Sequence, residues 1–155
     1  MTAKSSSNKK RIAFFAGSFD PFTIGHASIV ERGLAIFDEI VIGIGINSLK
    51  TSAEEAERRA RHIIRLYETE PRVKVVTYSG LTVDAARDED ASCLLRGVRS
   101  VKDFEYERDM ADINRQLSGL ETVLLYSLPE HSAVSSSVVR ELQAFGKDAS
   151  RYLPD

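Results

Sequence analysis

This chain of 155 residues contains a single cysteine and no tryptophan. One cysteine cannot form a disulfide within the chain, so we expect the core to hold the fold together. Cys93 lies in the apolar run Ser92–Leu95, where a buried thiol is expected. A reducing, cytoplasmic environment suits such a protein. No apolar run approaches the roughly 20 residues of a membrane-spanning helix, so we expect no membrane partner.

An excess of either charge is also lacking. The formal net charge is -2 although 28% of the residues are charged, so no broad basic surface for nucleic acid is expected. An anionic ligand must therefore be held by a few local cations. The chain has neither G-x-x-x-x-G-K-[ST] nor G-x-G-x-x-G after a strand, which argues against a P-loop NTPase and an ordinary dehydrogenase. His62 and His131 lack partners at metal-ligand spacing, so no protein-built metal site is predicted.

Composition predicts one domain with a substantial core. Hydrophobic residues make up 43% of the chain. Residues 1–10 are rich in serine and lysine without apolar periodicity, which predicts a disordered lead-in. They also lack the apolar segment of a secretory signal. Residues 11–155 are predicted to form the single folded domain.

Apolar runs of strand length alternate with helical patterns along that domain. Strands are predicted at Arg11–Ala16, Glu39–Ile46, Val73–Tyr78, Ser92–Leu95 and Thr122–Leu128. Helices are predicted at Gly25–Ala35, Ala53–Thr69, Thr82–Glu89, Val101–Gln116 and Ser135–Phe145. Several strands are continuously apolar and β-branched, as parallel strands covered on both faces are. The pattern predicts an α/β fold with a doubly wound, five-stranded parallel sheet, which is a Rossmann-like fold.

The unusual polar residues follow the predicted strands. They lie at Ser18–His26, Asn47–Lys50, Ser79–Thr82, Arg96–Arg99 and His131–Ser137. Because parallel strands end at the same edge of the sheet, these segments are expected to share one edge. Ligands of doubly wound folds bind at that edge. Lys50 is assigned to the site on this ground only, since a lone lysine in a turn is usually solvated.

The most informative of these segments is Gly17–His26, which joins an apolar strand to a helix start. Free N–H groups at a helix N-terminus attract an anion, and glycine allows the backbone to approach a ligand closely. An imidazole on the first turn can donate to a phosphoryl oxygen as charge develops there. A strand–helix turn whose histidine only caps or packs is the plain alternative.

Two further segments add cations and hydroxyls. Arg96 and Arg99 flank Gly97-Val98 directly after a buried strand, so each guanidinium could bind a separate phosphate. The alternative is two surface arginines in exposed salt bridges. Ser135–Ser137 precede an amphipathic helix, and one of them is expected to cap it. The other two could form a second phosphate cradle, and capping alone remains the alternative.

Thr23-Ile24-Gly25-His26 has the form of the T/H-x-G-H motif of nucleotidyltransferases. Together with Arg96–Arg99, the Tyr106-Glu107 pair and Ser135–Ser137, it makes residues 10–154 resemble the bacterial phosphopantetheine adenylyltransferases. That family transfers the adenylyl group of ATP to 4′-phosphopantetheine, giving dephospho-coenzyme A and pyrophosphate. The resemblance implies a nucleotidyltransferase fold, Mg²⁺ as cofactor and a homohexamer.

The resemblance also implies roles for individual residues. His26 would stabilise the transition state at the α-phosphate, and Lys50 and Arg96 would bind the acceptor phosphate as further catalytic residues. The ATP site would comprise Ser18, Phe19, His26, Gly97, Val98, Arg99, Glu107, His131, Ser132, Ala133, Val134, Ser135, Ser136 and Ser137. The acceptor site would comprise Ser18, Lys50, Leu81, Thr82, Arg96 and Asn114.

Two alternatives remain open from the sequence. One is another small nucleotidyltransferase, such as a nicotinate-mononucleotide adenylyltransferase or a glycerol-3-phosphate cytidylyltransferase. The other is a non-catalytic nucleotide-binding module, although the binding of ATP alone does not require Lys50 and Arg96.

Overall fold

The computed structural model describes residues 9–47 and 49–155, so most of the predicted lead-in at residues 1–10 lies outside the described residues. The strands are β1 (Ile12–Gly17), β2 (Glu39–Gly45), β3 (Val73–Tyr78), β4 (Cys93–Val98) and β5 (Glu121–Tyr126). The α-helices are α1 (Ile24–Gly33), α2 (Ala53–Leu66), α3 (Thr82–Asp88), α4 (Val101–Ser118) and α5 (Ser136–Ala144). Two short 3₁₀ turns lie at Pro129–His131 and Ser150–Tyr152.

All neighbouring strands are parallel, and their order across the sheet is β3-β2-β1-β4-β5. The predicted doubly wound, five-stranded sheet is therefore confirmed. From β1 the chain moves outward to β3, then returns to β4 on the other side of β1. The topological switch point lies between β1 and β4, where such folds bind ligands.

The helices cover both faces of the sheet. Ile29 of α1 and Ile63 of α2 pack into the core on one face, whereas Val83 and Ala86 of α3 pack on the other. Burial of both faces explains why the central strands are continuously apolar. Within the described residues, no helix is both long enough and apolar enough to span a membrane.

The sheet opens at the switch point. β4 pairs with β1 only as far as Leu95, but it pairs with β5 as far as Val98. The predicted end of this strand at Leu95 was therefore too early, because Arg96 and Gly97 continue the ladder with β5. Their polar and small side chains interrupt the apolar run without ending the strand. The unpaired edge between Gly17 and Arg96 creates a cleft at the carboxyl end of the sheet.

Candidate active site

The segment after β1 leads into α1 through a capping box. The side chain of Thr23 accepts a hydrogen bond from the backbone N–H of His26 at 3.4 Å. In return, Nδ1 of His26 accepts one from the backbone N–H of Thr23 at 2.9 Å. Glutamate or glutamine usually takes the reciprocal position in this motif. Because Nδ1 accepts, the proton of the neutral ring is on Nε2, which leaves Nε2 as a hydrogen-bond donor.

Aromatic side chains surround the His26 ring. Phe22 stacks on it at 5.4 Å between centroids, and Phe19 presents an edge at 5.0 Å. Burial in these surroundings, with the positive charges of Arg96 and Arg99 nearby, lowers the pKa of His26 to about 4. The imidazole is therefore neutral near pH 7 and acts as a donor without carrying a charge.

Each serine of the Ser135–Ser137 triplet has its own contact. Ser135 caps α5, since its side chain accepts from the N–H of Val138. Ser136 donates to the carbonyl of Pro21 at 2.8 Å. Ser137 accepts from Arg140 at 3.3 Å, and Arg140 also donates to the carbonyl of Asp20 at 2.6 Å. The start of α5 thus fixes the segment between β1 and α1, a link that the sequence did not reveal.

A cavity of about 290 Å³ lies between the start of α1 and the start of α5. Of the residues predicted to bind ATP, those that line it are Ser18, Phe19, His26, Gly97, Arg99, Val134, Ser135, Ser136 and Ser137. Those outside its lining are Val98, Glu107, His131, Ser132 and Ala133. Arg96 lines it as well. Two helix N-termini and the guanidinium of Arg99 therefore face one space, an arrangement suited to a polyphosphate.

Arg96 and Glu107 form a close ion pair. Nε of Arg96 donates to both carboxylate oxygens at 3.0 and 2.9 Å, and Nη2 donates to Oε1 at 2.6 Å. Nη1 donates to the carbonyl of Ala16 in β1, so the guanidinium spans the open edge of the sheet. The Glu107 side chain is only 8% exposed, against 34% for Arg96. Such a pair fixes the cation in place while leaving part of it accessible.

A second cavity, of about 170 Å³, lies on the α4 side of Arg96. Thr82, Asn114 and Glu107 all line it. The structure thus places Glu107 beside the residues predicted for the acceptor rather than in the cavity of the serine triplet. Its predicted contact with ATP stays a prediction. The hydroxyl of Thr82 is hydrogen-bonded to that of Tyr78 at 2.9 Å.

A third cavity, of about 640 Å³, contains Lys50 together with Ser18, Asn47 and Tyr78. Gly17 borders all three cavities, and Ser18 borders the first and the third. Some residues predicted for each half-site, among them His26 and Lys50, therefore line cavities that share Gly17 and Ser18. Leu81 is 55% exposed and lines none of these three cavities.

The carboxylates near these cavities are paired with arginines. Asp20 contacts Arg59 at 3.3 Å, Asp103 contacts Arg99 at 3.4 Å, and Glu107 is held by Arg96. In the described part of the chain, no group of three or more His, Cys, Asp or Glu side chains could hold a metal ion.

Comparison with known proteins identifies the family. The model of the cytidylyltransferase-like family matches residues 14–142. Phosphopantetheine adenylyltransferase of Porphyromonas gingivalis is 59% identical over 147 residues, covering 95% of this chain and 96% of that protein. The protein of the same name from Bacteroides fragilis is 54% identical, and the match covers 93% of this chain and 96% of that protein. The one from Flavobacterium johnsoniae is 46% identical, and the match covers 94% of this chain and 95% of that protein.

A solved structure agrees with the fold. The lipopolysaccharide core biosynthesis protein from Thermoplasma volcanium GSS1 superposes with a TM-score of 0.54 at 15% identity. The match covers 77% of this chain and 98% of that one. At this identity the likeness concerns the fold alone.

Proposed function

Because the chain belongs to the phosphopantetheine adenylyltransferases within the cytidylyltransferase-like family, we propose that it transfers the adenylyl group of ATP to 4′-phosphopantetheine. The products are dephospho-coenzyme A and pyrophosphate. One observation carries this proposal at the site: Arg96 borders both the cavity of His26 and the cavity on the α4 side, and the cavity of Lys50 adjoins them at Gly17. A nucleotide and an acceptor phosphate can thus be held next to each other.

The reaction requires neither a nucleophile nor a general base from the protein. The acceptor phosphate is ionised at neutral pH, so its oxygen attacks the α-phosphorus of ATP without a general base. A new P–O bond forms there, and the bond from the α-phosphorus to the bridging oxygen breaks as pyrophosphate leaves with its electron pair. Catalysis then consists of positioning the reactants and stabilising charge. A neutral Nε2–H at His26 supplies a donor without taking part in proton transfer.

Nucleotide binding is assigned to the cavity of the serine triplet. The free backbone N–H groups at the start of α5 and the guanidinium of Arg99 face this space. Arg99 also donates to the carbonyl of Val134 at 3.5 Å, which links the two elements that would hold the phosphates. Ser18, Phe19 and Gly97 would approach the nucleotide from the sheet, and the segment from His131 to Ala133 would reach its base.

The acceptor is assigned to the Lys50 side of the cleft. Lys50 and Arg96 would hold its phosphate, which must approach the negatively charged α-phosphate of ATP. Two cations offset that repulsion, which grows where water is excluded. The pantetheine arm would extend along Thr82, Leu81 and Asn114, beside the cavity of about 170 Å³.

Magnesium fits this site as part of the nucleotide. Mg²⁺ keeps several waters and binds mainly through substrate phosphates in nucleotide enzymes. The nearby carboxylates of Asp20, Asp103 and Glu107 are already paired with arginines. The described side chains therefore do not form a set of ligands for Mg²⁺. We therefore propose that Mg²⁺ would be held by the phosphates of ATP rather than by side chains of this chain, and that it would supply neutralisation of phosphate charge.

The family resemblance leads us to propose a cytoplasmic homohexamer. An exposed apolar stripe on α4 supports self-association: Tyr106, Met110, Ile113 and Leu117 lie on one helical face and are 62%, 36%, 49% and 57% exposed. Their spacing of four, three and four residues repeats with the helical period. Packing against further copies of the chain would remove this stripe from water.

The proposed function is tested by measuring pyrophosphate release with ATP, Mg²⁺ and each of three acceptors. These are 4′-phosphopantetheine, nicotinate mononucleotide and glycerol-3-phosphate. We expect phosphopantetheine to be used with the highest kcat/KM, and mass spectrometry to identify dephospho-coenzyme A. The His26→Ala protein, purified identically, controls for contaminating host enzyme. Preference for another acceptor, or no transfer to any of them, would overturn the proposal.

A further inference from the structure

Arg59 of α2 contacts two separate segments of the proposed site. Its Nη1 donates to the carbonyl of Ser18 at 3.1 Å and to the hydroxyl of Thr51 at 3.3 Å. Its Nη2 lies 3.3 Å from a carboxylate oxygen of Asp20 and 3.4 Å from one of Glu55. The Arg59 side chain is 10% exposed. One nearly buried guanidinium therefore joins the segment after β1 to the segment after β2.

The second of these segments carries Lys50. Asn47 and Thr51 form an antiparallel bridge, with backbone hydrogen bonds of 3.0 and 2.6 Å, which closes the turn containing Lys50. Thr51 is buried, and its hydroxyl is the atom that Arg59 contacts. The base of the Lys50 turn is thus attached to the same side chain that holds Ser18.

Arg59 itself lines none of the three cavities around Gly17, as far as the described residues define them. It therefore acts on bound molecules only through the segments that it holds. Its Nε is buried without a hydrogen-bond partner among the described residues, which is an unfavourable position for a donor. The contacts of its two terminal nitrogens must outweigh that cost, and they require the planar, forked shape of a guanidinium.

We propose that Arg59 is a positioning residue that sets the distance between Lys50 and Ser18. This inference rests on the proposed function, because that distance decides how the acceptor phosphate approaches the α-phosphate of ATP. In-line transfer is sensitive to displacements of about 1 Å. Releasing the Lys50 turn from Ser18 would therefore slow transfer even with all substrate-contacting side chains present.

The test compares Arg59→Gln and Arg59→Lys with wild type. Both variants should lose about tenfold or more in kcat/KM for phosphopantetheine, because neither side chain can contact both segments as a guanidinium does. The matched control is Arg58→Gln, on the exposed side of the same helix, which should retain wild-type kinetics. Thermal unfolding of each variant reports on folding.

A double-variant cycle separates positioning from general structural support. If Arg59 acts through Lys50, then Arg59→Gln should cost less than about threefold when introduced into Lys50→Ala. An equal loss in both backgrounds would overturn the inference, as would Arg59→Gln or Arg59→Lys activity within about twofold of wild type.

A smaller substitution, at Thr51, tests the inference if the Arg59 variants do not fold. Thr51→Val removes only the hydroxyl that Arg59 contacts, and it should impair the use of phosphopantetheine while leaving ATP binding unchanged. Wild-type kinetics in Thr51→Val would then overturn the inference. If the wild-type protein itself fails to transfer an adenylyl group, the proposed function fails instead, so the two failures are distinguishable.

Discussion

The backbone N–H of Thr23 donates to Nδ1 of His26 at 2.9 Å. This one hydrogen bond caps α1 and also decides which nitrogen of the ring carries the proton. With Nδ1 occupied as an acceptor, Nε2 is the donor that His26 can offer to a bound phosphate. The same histidine thus combines a structural and a proposed chemical role, and the two can be separated experimentally.

The first prediction concerns the charge of His26. Burial lowers its pKa from 6.5 to about 4, so the ring should stay neutral throughout the range in which free histidine titrates. A titration followed by NMR, with the His26 signal assigned from the spectrum of His26→Gln, should show no protonation midpoint near pH 6.5. A midpoint there would contradict the description of a buried, neutral donor.

The lowered pKa of His26 also predicts how the free energy of unfolding depends on pH. Between pH 6.5 and about 4 the unfolded chain binds a proton at His26 that the folded chain does not bind. The contribution of His26 to the free energy of unfolding should therefore be fully present above pH 6.5 and decrease as the pH falls towards 4. Urea unfolding at several pH values should show a smaller decrease for His26→Gln than for wild type. Equal decreases would contradict the assignment.

The second prediction separates capping from chemistry. Glutamine at position 26 can still accept from the N–H of Thr23, as in an ordinary capping box, but it lacks the ring donor at Nε2. His26→Gln should therefore keep the cap of α1 and its affinity for ATP, and its melting temperature should fall only by what packing of the ring against Phe19 and Phe22 contributes. Its kcat should fall by about a hundredfold to a thousandfold, as when one donor to a developing charge is removed. Turnover close to wild type would show that the ring donor is dispensable.

The third prediction concerns the ion pair of Arg96 and Glu107. Arg96→Ala leaves a carboxylate that is 8% exposed without its cation and should lower the free energy of unfolding by about 2–3 kcal/mol. Glu107→Ala should cost less, because the remaining cation is 34% exposed and can be hydrated. Removing both side chains should cost less than the sum of the two single changes. Urea unfolding at one protein concentration measures all three, and additive losses would contradict a coupled pair.

Strands and helices could be predicted because their patterns are local. The bounds of β3 were predicted correctly at Val73–Tyr78, since an alternating β-branched run identifies a strand by itself. The end of β4 was predicted wrongly, because Arg96 and Gly97 are polar or small yet remain paired with β5. Pairing with a neighbouring strand is a tertiary feature that a single segment does not encode.

The candidate site was predictable only in part, for the same reason. Ser18, His26 and Arg99 could be found because they follow strands in a recognisable motif. Arg59 and Arg140 could not, because arginines on amphipathic helices usually face solvent. Their contacts with Ser18 and Asp20 join positions 41 and 120 residues apart in the chain. A link of that kind becomes visible only when the elements are packed.

We propose that one edge of the sheet holds the two substrates side by side. Calorimetric titration of Lys50→Ala, Arg96→Ala and Arg99→Ala with ATP and with phosphopantetheine separately tests this arrangement. We predict that the first two variants lose about tenfold or more in affinity for phosphopantetheine and keep most of their affinity for ATP, and that Arg99→Ala does the reverse. Arg96→Lys should stay impaired, because an ammonium cannot form the bidentate contact. Loss of ATP binding with normal phosphopantetheine binding in Lys50→Ala and Arg96→Ala would contradict the placement of the two half-sites.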